Sequence, residues 1–170
     1  MKKALFILLS LTVFAIFNYG IYEKEQIKAH GETVYLEIAP VDPRSLMQGD
    51  YMRIRYAIER NLSGMSVDGH RERGDMVIAI DDKHKATFVR FHNGEPLQPG
   101  EKLLHYQFNN GIIRIVPDSF LFQEGQSEFY RRAKYGEFKF DKKGDHILVG
   151  LADENLQDLK PPVTARGNTN

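Results

Sequence analysis

The amino-acid sequence predicts a mainly β fold, an antiparallel sandwich or small barrel with one short helix, preceded by a single N-terminal transmembrane helix. Three observations support this prediction. An uncharged and mostly apolar stretch occupies residues 4–22. Segments in which apolar and polar residues alternate then follow one another, as in half-buried strands. Turn-forming glycine, asparagine and aspartate residues separate these segments, which is typical of antiparallel sheets.

The N-terminal stretch MKKALFILLSLTVFAIFNYGIY is predicted to be a signal anchor over residues 1–22. Its apolar part approaches the ~20 residues that a helix needs to cross about 30 Å of hydrocarbon. Bulky residues at 18–22, where a signal peptidase requires small ones, favour a retained anchor over a cleaved signal. Lys2 and Lys3 are expected to stay in the cytoplasm. We therefore expect a single-pass protein of the bacterial inner (cytoplasmic) membrane, with its C-terminal domain in the periplasm or extracytoplasmic space.

The rest of the chain divides into three parts. Residues 23–32, EKEQIKAHGE, are short and charged, which predicts a juxtamembrane linker or helix that ends at Gly31. Residues 33–153 are predicted to form the extracytoplasmic β domain. Residues 154–170 are predicted to be a flexible tail, because the segment from Pro161 onwards has too few apolar side chains to pack.

The strands follow in order along the β domain. In TVYLEIA, period-two alternation places Val34, Leu36 and Ile38 on one face. In YMRIRYAI it places on one face four residues: Met52, Ile54, Tyr56 and Ile58. Further strands are predicted in MVIAID, KATFVRFH, KLLHYQF, IIRIV and EFKFDKKGDHILVGLA, the last as a hairpin around Asp141 to Asp145.

Turns and one helix complete the predicted architecture. Turns are predicted at Asp81-Asp82, in HNGEPLQPGE and at Asn109-Asn110-Gly111. The tripeptide RGD at residues 73–75 is interpreted as a turn at a loop-to-strand junction rather than as an adhesion signal. Only QSEFYRRAKY, residues 126–135, suits a short helix, with Ser127 as its capping residue.

Composition excludes several classes of function. Lys and Arg total 23 and Asp and Glu total 23, so the chain lacks the positive field that nucleic-acid binding requires. The absence of cysteine excludes disulfides, thiolate nucleophiles and iron–sulfur clusters. The histidines at 30, 70, 84, 92, 105 and 146 show no HxH or HxxxH spacing. Neither a metal site nor a cofactor is therefore predicted.

The segment PVDPRSLMQGDYMRIRY combines a turn with the start of a strand. Pro43 excludes a helix, the side chain of Asp42 can accept a hydrogen bond from a following backbone N–H, and Gly49-Asp50 permits a tight turn. Asp50 is expected to form a charge-assisted bond with Arg44 or with Arg53. These residue types brace a turn without requiring a substrate.

The strand that follows is predicted to have two different faces. Period two places Tyr51 and Arg53 opposite Met52 and Tyr56. Tyr56 is expected to be a core ring whose hydroxyl finds a buried acceptor, and Tyr51 is expected to lie with the arginines on a polar or interfacial face.

This segment resembles the signature of the GDYXXLXY domain family of bacterial membrane-anchored proteins, with Ile54 where the family has leucine. The stretch IVPDSFLFQEGQSEFYRRAKYGEFKFDKKGDHILVGL is similar to that family's later region, in which an acidic residue and a glycine, here Glu124-Gly125, precede a helix and a hairpin. Gln126-Ser127 stand where the family often has a second small residue. The resemblance implies a membrane address and a polytopic membrane protein as partner, not a reaction.

The sequence also resembles the membrane-anchored signal peptidase domain in the order of three segments, SLMQGDY, RGDMVIAI and FVRFHNGEPLQPGE. That chemistry needs a serine nucleophile and a neutral lysine. Val41 stands at the nucleophile position and Arg90 in the region of the base. Valine cannot act as a nucleophile, and arginine stays protonated and cannot act as a base. This second resemblance therefore implies a related fold without the catalysis.

The leading hypothesis is a membrane-anchored extracytoplasmic binding or accessory module that partners a polytopic membrane protein. The alternative is an envelope hydrolase or a small-ligand binder that uses Asp50, Arg44 and Glu124. No catalytic residue is assigned. The predicted interaction residues are Asp42, Pro43, Arg44, Gly49, Asp50, Tyr51, Arg53, Tyr56, Glu124 and Gly125.

Overall fold

The computed structural model describes residues 2–39, 47–48, 51–62, 72–109 and 111–160. Helix α1, Lys2–His30, includes residues 23–30, for which the sequence left a linker or a helix open. The strands are β1 Glu32–Glu37, β2 Met47–Gln48, β3 Tyr51–Arg53, β4 Arg73–Ile80, β5 Ala86–Phe91, β6 Glu101–Asn109, β7 Ile112–Ile115, β8 Ser119–Leu121, β9 Tyr135–Phe140 and β10 His146–Ala152. Two short helices, α2 Ala57–Asn61 and α3 Ser127–Tyr130, interrupt them. The prediction of a mainly antiparallel β fold after one long apolar helix is confirmed.

The strands of the described ranges form three sheets in which all neighbouring strands are antiparallel. Their orders are β1-β9-β10, β5-β4-β6-β7 and β2-β3-β8. The backbone N–H of Tyr35 in β1 donates to the carbonyl of His84, 2.8 Å away, beside a parallel bridge between Tyr35 and Lys85. This contact joins the first sheet to the edge of the second, so the two together curve into a half-barrel.

The alternating pattern correctly identified the core. Met52, Ile54 and Tyr56 are all 2% exposed or less, whereas Arg53 and Arg55 between them are exposed. The predicted strand is nevertheless too long, because β3 ends at Arg53 and the chain enters α2 after Tyr56. Ile58 is buried, as expected, but from a helix, since its carbonyl accepts a hydrogen bond from the N–H of Leu62 (3.1 Å).

Two predicted turns are confirmed by the hydrogen bonds that their aspartates accept. The Asp81 carboxylate accepts from the backbone N–H groups of Lys83 and Lys85, both at 2.8 Å. The Asp141 carboxylate does the same for Lys143 and Asp145, at 2.8 and 2.9 Å. An aspartate that holds its own turn in this way is a local feature, which explains why sequence alone predicted it.

Two local predictions are wrong. The RGD tripeptide is not a turn, because residues 73–75 form the start of β4 and pair with residues 105–107 of β6. Helix α3 has four residues rather than ten, and Ser127 lies inside it. Gln126 occupies the N-cap position without a side-chain capping bond, so the expected Ser127 cap does not form.

The packed head extends to Lys160, so residues 154–160 do not belong to the flexible tail that the sequence predicts. Leu159 is 4% exposed, and its N–H donates to the carbonyl of Leu151 in β10 (2.8 Å). The Asp153 carboxylate accepts from the N–H groups of Asn155 and Gln157, at 2.9 and 3.0 Å, and thereby turns the chain back. Residues 161–170, the remainder of that predicted tail, lie outside the described residues.

Candidate functional site

The two stretches that carry the family resemblance meet in the small sheet. Strand β3 pairs with β8, which places Tyr51 opposite Leu121 and Arg53 opposite Ser119. Glu124 and Gly125 follow β8 in an exposed turn, where Gly125 has a φ of 82° that glycine adopts without strain. Five predicted interaction residues, Asp42, Pro43, Arg44, Gly49 and Asp50, lie outside the described residues.

Tyr56, the last residue of the motif, is a buried brace, as the sequence predicted. The side chain is 0% exposed, and its hydroxyl donates to the carbonyl of Pro117 at 2.9 Å. Burial raises the pKa of this phenol well above its usual value, so the hydroxyl stays a donor. The N–H of Ile54 donates to the carbonyl of Asp118 at 2.8 Å. The motif therefore holds residues 116–118, which we call the bridging loop, between β7 and β8.

Glu59, on helix α2, caps the edge of the four-stranded sheet. Strand β7 is the last strand of that sheet, and the N–H of Ile115 donates to the Glu59 carboxylate at 2.7 Å. Glu59 is 8% exposed, and this burial raises its pKa from 4.5 to about 7, against the lowering effect of the backbone hydrogen bond from Ile115. A side chain that occupies an edge N–H prevents another strand from pairing there.

A cavity of about 450 Å³ lies on the other side of the bridging loop. Its polar lining comes from β4 and β6, because the register places Asp75 opposite His105 and Arg73 opposite Gln107. Alternate residues of a strand share a face, so these four side chains project from the same face of the sheet. Val116 of the bridging loop and His146 of β10 complete the wall.

Asp75 fixes the orientation of the His105 ring. The Nδ1 atom of His105 lies 2.5 Å from the Asp75 carboxylate, so this nitrogen carries a hydrogen and donates it. The His105 and Asp75 side chains are 45% and 37% exposed. Over the described ranges, no hydrogen bond to the Nε2 atom of His105 is present. That nitrogen is therefore the ring atom open to a ligand.

His146 supports the cavity rather than offering a ligand. Its ring stacks against His105, with centroids 5.7 Å apart, and against Phe140 at 5.0 Å. Its two nitrogens lie 3.0 Å from the carbonyl oxygen of Gly144 and 3.1 Å from that of Val116. Burial lowers the pKa of this imidazole, and both nitrogens already face backbone carbonyls. When Nε2 carries the ring hydrogen, it donates to the carbonyl of Val116, and His146 then holds the bridging loop from the cavity side, as Tyr56 does from the core.

Sequence reasoning missed Asp75, His105 and His146. Asp75 was included in the tripeptide interpreted as a turn, and the histidines show no common spacing. The available signal was an aspartate and a histidine inside two segments of strand character, but only the register between β4 and β6 shows that they meet. Among the described residues, no group of three or more His, Asp or Glu side chains is arranged to hold a metal ion.

Comparison with known proteins identifies a family. The model of a protein family described as GDYXXLXY protein matches residues 13–151, most of the chain. No curated protein and no solved structure matches this chain. The matched range includes the whole motif as well as Asp75, His105 and His146. The chain therefore belongs to the GDYXXLXY family.

Proposed function

We propose that this protein is a single-pass, membrane-anchored extracytoplasmic module that binds a polytopic integral membrane protein. The observation that carries the proposal is helix α1, whose segment Phe6–His30 is long and apolar enough for a membrane span or a signal sequence. From Phe6 to Tyr22 its apolar side chains are exposed on every side; Phe6 and Phe14, for example, are 71% and 72% exposed. Lipid or another apolar helix must cover such a surface.

The polar residues of this segment support its placement in hydrocarbon. The hydroxyls of Ser10 and Thr12 donate to helix carbonyls four residues earlier, each at 2.9 Å. The amide of Asn18 donates in the same way at 2.8 Å. Hydrogen bonds that close within the helix need no water, which is the condition for a polar side chain inside a bilayer.

The helix is fastened directly to the head, without a flexible linker. Ile27 is 4% exposed, and its carbonyl accepts a hydrogen bond from the N–H of Gly31 at 2.8 Å. A Cβ atom on Gly31 would collide with that same carbonyl oxygen. From Tyr22 to Ile27 the helix rises only about 8 Å. A head held at this height stands among lipid headgroups, level with the short outer loops of a polytopic protein.

The surface best suited to a protein partner lies on the motif strand and its neighbour; we define it as Tyr51, Arg53 and Leu121. Leu121 is 79% exposed, more than the other exposed large hydrophobic residues of the described chain. It pairs with Tyr51, and Arg53 lies two residues further along the same strand. An apolar side chain beside an aromatic ring and a guanidinium has the composition typical of protein interfaces.

The test is a pull-down of the full chain from native membranes through a C-terminal tag. We expect one polytopic membrane protein to co-purify, and Leu121→Asp to reduce its recovery by about tenfold or more, because an interface does not tolerate a buried unpaired charge. The matched control is Val89→Asp on β5, where the wild-type side chain is 42% exposed on a different sheet. Equal recovery with Leu121→Asp and with wild type would contradict this surface, and the absence of a co-purifying membrane protein would contradict the proposal itself.

The two alternative functions, a hydrolase and a small-ligand binder, are not equally supported by the structure. For a hydrolase, Glu124 lies on an exposed turn, while Arg44 and Asp50 are outside the described residues. Arg90, in the region of a signal-peptidase base, is held by Glu101 in a bidentate pair at 2.6 and 3.0 Å. A small-ligand binder is favoured by the cavity at Asp75 and His105, although not through the residues that the sequence suggested.

A further inference from the structure

The cavity at β4 and β6 offers two different polar groups to a ligand. Asp75 is engaged by His105, which occupies one of its two carboxylate oxygens. The guanidinium of Arg73, in contrast, has neither an ion pair nor a hydrogen bond in the part of the chain that the structure describes, and this side chain is exposed. An unpaired guanidinium and an open imidazole nitrogen therefore border the same space of about 450 Å³.

We propose that this cavity binds a small hydroxylated anion, a sugar acid or a sugar phosphate, whose charged group contacts Arg73 and whose hydroxyl contacts His105. The guanidinium presents two parallel N–H donors, which match the two oxygens of a carboxylate or phosphate. Because Nδ1 of His105 donates to Asp75, the neutral form of the ring presents its other nitrogen, Nε2, as an acceptor for a hydroxyl hydrogen.

The dimensions of the cavity agree with such a ligand. Arg73 and His105 are on neighbouring strands and two register positions apart, a separation of about 7 Å along the strand. A ligand that contacts both must therefore carry its charge and its hydroxyl on different atoms several bonds apart. The volume falls at the lower end of the range of about 300–1,000 Å³ that is usual for small-molecule sites. The 47% exposed Val116 offers apolar surface for the C–H face of a sugar ring.

This inference goes beyond the proposed partner binding and does not depend on it. A cavity ligand and a partner on the Tyr51, Arg53 and Leu121 surface involve different residues. Failure of the ligand test therefore leaves the pull-down result untouched, and the reverse also holds.

The test uses the full chain in detergent micelles at constant ionic strength, with four probes. Glucuronate and glucose 6-phosphate carry both an anion and hydroxyls, glucose carries only hydroxyls, and inorganic phosphate only the anion. Binding is measured by calorimetry and by the NMR signals of the His105 ring. We expect each hydroxylated anion to bind about tenfold or more tightly than glucose and than inorganic phosphate. A preference for glucuronate over glucose 6-phosphate, or the reverse, identifies the class of anion.

Three variants assign the contacts. Arg73→Gln should reduce the affinity for the hydroxylated anions to that for glucose, because the charge partner is lost. His105→Phe keeps a ring against His146 but removes the acceptor nitrogen, so it should weaken hydroxylated anions by about tenfold and leave inorganic phosphate unchanged. The control is Arg131→Gln, an exposed arginine that pairs with Glu128 on α3, and it should bind like wild type. Wild-type affinity in Arg73→Gln, or no change at the His105 ring with any of the four probes, would overturn the proposal.

Discussion

Glu59 and Asp75 are two carboxylates on opposite sides of the bridging loop, and they occupy contrasting environments. Glu59 is 8% exposed and accepts a backbone N–H, whereas the Asp75 side chain is 37% exposed and holds a histidine. A protonated carboxyl can still accept from an amide, so Glu59 keeps its structural role in either charge state. Asp75 instead determines which nitrogen of His105 faces the cavity. The same chemical group thus closes a sheet edge in one place and orients a histidine ring in another.

The bridging loop couples these two regions. Tyr56 holds the carbonyl of Pro117 from the core, and His146 contacts the carbonyl of Val116 from the cavity side. The family motif therefore acts on the cavity indirectly, as the support of one of its walls. On this account, the last tyrosine of the motif is a positioning residue and not a ligand contact.

The largest expected effect comes from removing this support. Tyr56→Ala should destabilise the protein by about 3–5 kcal/mol, because it empties a fully buried ring site and leaves the Pro117 carbonyl unpaired. Tyr56→Phe keeps the ring and should lose about 1–2 kcal/mol. Urea unfolding of the full chain measures both, and the NMR signals of the His146 ring should shift in Tyr56→Phe. A Tyr56→Phe variant as stable as wild type, with unchanged His146 signals, would separate the two regions and contradict the coupling.

A smaller effect should appear in the pH dependence of stability. The pKa of Glu59 is raised from 4.5 in the unfolded chain to about 7 in the folded protein, so the folded state binds the proton more tightly. The associated stability is complete below about pH 4.5 and is lost as the pH rises through about 7, a loss on the order of 3 kcal/mol. Glu59→Gln keeps an oxygen for the Ile115 N–H and should remove this slope.

His146 contributes to the pH dependence of stability with the opposite sign. Burial lowers its pKa below the usual 6.5, so its contribution is present above that pH and declines as the pH falls. The contribution of Glu59 is therefore obtained as the difference in the free energy of unfolding between wild type and Glu59→Gln at each pH. Asp75→Asn is the matched carboxylate control and should change stability by less than about 1 kcal/mol, because exposed ion pairs contribute little. Equal pH slopes in wild type and Glu59→Gln would show that the two carboxylates do not differ as described.

The sequence was sufficient to predict those features of the structure that have a local cause. Alternation along residues 51–56 identified Tyr56 as a core residue, and the turns at Asp81 and Asp141 follow from aspartates that bind their own backbone. It was insufficient where distant strands meet. Asp75 and His105 are 30 positions apart and become partners only through the β4–β6 register, and His146 reaches them from a third strand. A one-residue slip in either strand would have turned these side chains to the other face.

The central claim, a helix that tethers an extracytoplasmic head, is tested most directly by cysteine labelling in spheroplasts. The chain contains no cysteine, so Lys83→Cys in the exposed β4–β5 turn and Lys3→Cys at the N-terminus each provide a single reporter thiol. With a membrane-impermeant maleimide, the account predicts labelling at position 83 in intact spheroplasts and labelling at position 3 only after lysis, with the protein retained in carbonate-washed membranes. Protection of position 83 until lysis, or release of the head into the soluble fraction, would contradict it.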